Sequence, residues 1–113
     1  VDAVALDDAW EIARLSQDCD VDIICTGLSY TFEAEIISIA KDYPRICFDA
    51  GRMTGPDAIE LFCKHAGAHR LVYGSDYPFD ATLSSLLMLQ HAEISESERQ
   101  LVAADNIKER MRI

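Results

Sequence analysis

Leu71-Val72-Tyr73-Gly74-Ser75-Asp76-Tyr77-Pro78 is the stretch on which the fold turns: a short apolar run that breaks at a glycine and delivers a carboxylate into a proline-bearing loop. A run this short, closed by turn residues, reads as a buried strand. Two upstream stretches have the same form. Val21 to Thr26 (VDIICT) is β-branched and ends at Gly27, and Arg45 to Ala50 (RICFDA) ends at Gly51. Strands are therefore expected near residues 21–26, 45–50 and 70–75.

The segments between them carry helical spacing. Ala5, Ala9, Ile12, Ala13 and Ser16 share one face of a helix over residues 5–16, with Asp7 and Asp8 at the positive end of its dipole. Thr31 can cap a second helix in which Phe32, Ile36, Ile39 and Ala40 recur, and which must stop before Pro44. A third opens at Gly55-Pro56, with proline where its missing N–H costs nothing. It buries Ile59, Phe62, Cys63 and Ala66 and closes at Gly67. A leucine-rich helix from Thr82 to about Ala92 follows, then a helix opened by the capping box Ser95-x-x-Glu98. Connections too long for hairpins make the strands parallel, with right-handed crossovers. Three βα units leave two raw sheet edges and one uncovered face, so further residues or a second copy of the chain should complete the sheet.

Composition sets the outer bounds. The 113 residues fit one domain over 1–113, half of them hydrophobic and 27% charged, as in an ordinary globular chain. Twenty acidic residues against ten basic ones give a net charge of -10, which repels nucleic acid and anionic membrane surfaces alike. No apolar run reaches the roughly 18–20 residues a membrane helix needs, and no signal-peptide pattern is present, so the expectation is cytoplasmic. The start at Val1 points to residues cut from something longer. Cys19, Cys25, Cys47 and Cys63 form no Cys-x-x-Cys pair and read as reduced thiols, most of them buried.

In parallel α/β folds ligands bind beyond the carboxyl ends of the strands, where these exits carry Cys25-Thr26-Gly27, Asp49-Ala50-Gly51 and Ser75-Asp76-Tyr77-Pro78. Asp76 is the leading candidate, because a carboxylate at the end of a buried strand needs a metal, an arginine or backbone N–H groups to offset its desolvation. Asp49 and Arg52 are candidates to face a substrate, Arg52 as a partner for an acidic one. Tyr77 and Pro78 shape the loop. Leu83, Leu86, Leu87 and Met88 read as core or interface, and Trp10 as packing. His65 and His69 straddle Gly67 at a helix end, away from these exits, and with His91 read as surface residues.

His69 to Phe79 (HRLVYGSDYPF) resembles the last-strand signature of the amidohydrolase-related metal-dependent hydrolases, the group that includes the aminocarboxymuconate-semialdehyde decarboxylase-like enzymes. Lys41 to Asp49 (KDYPRICFD) looks like that family's preceding strand, and Ser95 to Met111, with Asn106 at the family's asparagine, like its closing segment. The resemblance spans about Val21 to Ile113. It implies a partial TIM (β/α)8 barrel of about three parallel βα units plus flanking helices, with Asp76 as the strand-eight carboxylate that binds the catalytic metal or orients its water. It also implies a divalent metal, zinc or manganese, and a small-molecule substrate for the parent enzyme. The family's other ligands have no counterpart: where its sixth strand ends in His-x-Gly this chain has Cys25-Thr26-Gly27. One carboxylate without histidines falls short of the three or four ligands of a catalytic zinc, so the chain alone is expected to hold metal weakly and to be inactive. The alternatives are a non-catalytic half-barrel that persists as a homo-oligomer and, ranked lowest, a flavodoxin-like binding module.

Overall fold

The computed structural model describes residues 6–26, 33–53, 55–75 and 82–112; Thr31, Phe32, Asp76, Tyr77 and Pro78 lie outside them. Helix α1 (Leu6–Cys19) leads into β1 (Ile23–Cys25), α2 (Glu33–Asp42) into β2 (Ile46–Asp49), and α3 (Ala58–His65) into β3 (Leu71–Val72). Then come α4 (Thr82–His91) and a continuous last helix, in which α5 (Glu96–Gln100) passes through a π-helical turn (Leu101–Asp105) into α6 (Asn106–Met111). The strands form one parallel sheet in the order β1-β2-β3, with Ile23 beside Ile46, Cys25 beside Phe48, and Phe48 beside Leu71. This is the alternating, parallel α/β arrangement expected from the three apolar runs.

Local chemistry sets the boundaries. α1 runs past Ser16 to Cys19 and stops where Asp20 turns left-handed at φ 57°, the Val21 N–H closing back on the Ser16 carbonyl at 3.2 Å. That is a Schellman closure. Gly67, at φ 100°, ends the chain's run out of α3 as expected. Pro56 is not the first helical residue: α3 begins at Ala58 behind a left-handed Asp57, so the proline stands in the turn before it. Ser95 and Glu98 form the expected capping box.

All three strands are shorter than their apolar runs. At the start of β1, Asp22 is drawn into ion pairs with Arg45 (3.3 Å) and Arg110 (3.0 Å). At the end of β3, the Tyr73 N–H leaves the ladder for the Val102 carbonyl in the π turn, 2.9 Å away.

The core lies between the sheet and α2 and α3. Ile36, Ile39, Ile59 and Phe62 from the helices pack with Ile46, Phe48 and Leu71, all at most 2% exposed. Each such side chain contributes about 1.5–3 kcal/mol by leaving water. Phe48 and Phe62 meet edge to face at 6.2 Å, and Trp10 of α1 meets Tyr43 in the same way at 6.2 Å.

The expectation of two raw edges needs correcting on one side. Asn106 Nδ2 donates to the Ala68 and Leu71 carbonyls, both at 2.7 Å, and with Val102 it covers the outer edge of β3. The opposite sheet face is not bare either, since Cys47 and Val72 are 0% and 4% exposed. α6 reaches that region, for the charge of Arg110 acts on the Cys47 thiol.

Candidate site at the carboxyl ends of the strands

β2 delivers Asp49 half-buried at its exit, where Oδ1 accepts the Gly51 N–H at 2.7 Å and caps a one-turn 3₁₀ helix over Ala50–Arg52. β3 then passes over that carboxylate with no space between. A Cβ on Gly74 would stand 2.3 Å from Asp49 Oδ1, and a Cβ on Gly51 would stand 2.6 Å from the Gly74 carbonyl oxygen. Both glycines are thus dictated by close approach rather than by a left-handed backbone. The exit of β3 is also tied to α4, through a hydrogen bond between the Tyr73 and Ser85 hydroxyls at 3.2 Å.

Cys25 occupies the exit of β1 and is 4% exposed. Burial first, and the charge of Asp49 second, push its thiol above the usual range, so at neutral pH it is a protonated thiol and neither a ready nucleophile nor a ready metal ligand. Cys47 and Cys63 are raised by burial as well, Cys63 to about 11. All four cysteines are free thiols, and Cys19 alone is exposed.

The candidates taken from the sequence fare differently. Asp76 lies outside the described residues, one position beyond Ser75. Asp49 sits at the exit of β2, held by Gly51 and pressed against Gly74. The Arg52 backbone lies within the same turn, which the Met53 N–H closes on the Ala50 carbonyl at 3.1 Å, but the Arg52 side chain is not among those described. His65, His69 and His91 are exposed, as expected of surface residues. Leu83, Leu86 and Leu87 are exposed on α4 rather than in the core, and Met88 is half-buried. Among the described residues, no group of three or more His, Cys, Asp or Glu side chains could hold a metal ion.

Sequence reasoning missed the burial of Arg70, Ser85 and Asn106. Arg70, 4% exposed just before β3, donates to the Ala40 carbonyl at 2.5 Å and to those of Tyr43 and Ile46. It joins the end of α2 to the starts of β2 and β3. Its signal was a long cation abutting an apolar run. Asn106, 2% exposed, was noted only for its place in the closing segment. No family model, curated protein or solved structure matches this chain.

Proposed function

We propose that this chain is the carboxyl-terminal part of a metal-dependent hydrolase or non-oxidative decarboxylase of the amidohydrolase-related type, with Asp76 as the carboxylate at the exit of its last strand. The supporting observation is the convergence of three strand exits. Parallel strands in sequential order bring Cys25, Asp49 and Gly74 to one end of the sheet, directly ahead of Asp76. Asp49 and the turn bearing Arg52 would border the substrate. The described residues do not make a metal centre: the Cys25 thiol stays protonated and Asp49 already accepts from Gly51. Further ligands must come from elsewhere, and the isolated chain is expected to be inactive. The free thiols suit a reducing, cytoplasmic setting.

A second reading, a non-catalytic half-barrel that self-associates, is favoured by the edge of β1, which no further strand pairs among the described residues. Titration of the chain and of Asp76→Asn with zinc and with manganese, followed by calorimetry and sedimentation, tests both. The first reading expects weak binding that disappears in Asp76→Asn, with a melting point unchanged or raised, by roughly 1 kcal/mol of stability, as an unpaired carboxylate is removed. Metal binding equal in the two proteins, with Asp76→Asn less stable by roughly 1–2 kcal/mol, would assign Asp76 to capping its loop and sink the metal reading. Concentration-dependent association without metal binding supports the half-barrel.

A further inference from the structure

β3 pairs with β2 as far as Val72, and the residues on either side of Val72 turn their main-chain groups to the outer edge. There the Tyr73 N–H donates to the Val102 carbonyl at 2.9 Å, and the Leu71 carbonyl accepts from Asn106 Nδ2 at 2.7 Å. In a parallel ladder these are the two bonds that a single residue of a fourth strand makes, its N–H to the Leu71 carbonyl and its carbonyl to the Tyr73 N–H. The last helix supplies both, one from a main-chain carbonyl and one from a side-chain amide. The helix is π-wound at this point, with Asn106 N–H closing on the Leu101 carbonyl, and such widened turns are rare enough to mark a constraint. Both hydrogens of the Asn106 Nδ2 group are used, because the other one goes to the Ala68 carbonyl at 2.7 Å.

We propose that the last helix is an edge guard. Through Asn106 and Val102 it takes the hydrogen-bonding positions of an absent strand, and its release opens β3 to strand addition by a second copy of this chain. Exposed strand edges recruit other chains, and proteins block them with covering elements of this kind. The inference needs neither a metal nor Asp76, so it can fail without touching the proposed function.

Asn106→Ala removes both donors. Amide exchange at Tyr73 should then rise at least about tenfold relative to that at Phe48, the protection lost being that of a covered edge. An infrared band for intermolecular strands, absent from the unchanged chain, should grow with protein concentration. A folded variant with Tyr73 exchange unchanged, or without new intermolecular pairing, would overturn the proposal. If the variant does not fold, native-state exchange of the unchanged chain in low denaturant carries the test. The guard requires Tyr73 and the α6 amides to open together before Phe48; opening of all three in one global step overturns it.

Discussion

Gly74 shows how one residue without a side chain can organise a site. The space its Cβ would need is filled by Oδ1, Cγ and Oδ2 of Asp49, at 2.3, 2.7 and 2.8 Å. Asp49 cannot easily move aside, because Oδ1 is held by the Gly51 N–H. Gly74→Ala is therefore expected to destabilise the protein by about 1–3 kcal/mol, the usual cost of overpacking. Adding Asp49→Ala should recover part of that loss, so the two changes should be non-additive in a double-mutant cycle read by denaturant unfolding. Strict additivity would mean that the β3 exit and the Asp49 carboxylate do not share this space.

Single arginines hold whole elements together. Arg99 reaches back to the end of α4, donating to the Leu89 (2.5 Å), Gln90 (3.0 Å), Ala92 (3.2 Å) and Ile94 (3.3 Å) carbonyls, and so satisfies acceptors that a helix end leaves open. Arg70 does the same at the start of β3, for Ala40, Tyr43 and Ile46. A guanidinium spreads its donors over several carbonyls in one plane, whereas an ammonium is a single strongly hydrated point. Arg70→Lys should accordingly cost about 2–4 kcal/mol, since several buried carbonyls lose their donor. A lysine variant as stable as the parent in urea unfolding would show that charge, and not the fork of donors, is what this position needs.

Across the whole molecule the buried thiols couple stability to alkaline pH. Cys63 is 7% exposed and its thiol is pushed from 9.0 up to about 11, by burial first and then by the charges of Glu98 and Glu60. An acid with a higher pKa in the fold keeps its proton longer there than in the unfolded chain. Its contribution is whole below the unfolded value and is lost as pH rises through the folded one. Stability should therefore fall by about 2–3 kcal/mol between pH 9 and 11 on account of this thiol. Cys25 and Cys47 act in the same direction. Thermal melts of the protein and of Cys63→Ala over that range should show a shallower decline in the variant, and parallel declines would remove Cys63 as the cause.

Element type and strand direction were legible in the sequence because they depend on local spacing. Apolar runs of strand length alternate with 3.6-residue stripes, and long connections leave only parallel pairing; the observed β1-β2-β3 sheet follows. Capping at Ser95 and the stop at Gly67 are equally local. The gathering of the strand exits at one end of the sheet was legible too, since three apolar runs, expected to be parallel, each ended in polar or small residues. What no spacing showed were contacts between residues far apart in the chain: Gly74 against Asp49, Arg70 reaching Ala40, Asn106 closing the edge of β3. Each satisfies or crowds a buried polar group, and which groups are buried is decided only when the elements pack. For that reason the sequence by itself determined the secondary elements and their parallel order, while tertiary packing alone decided where each strand stops, which edge is sealed and why Gly74 is a glycine.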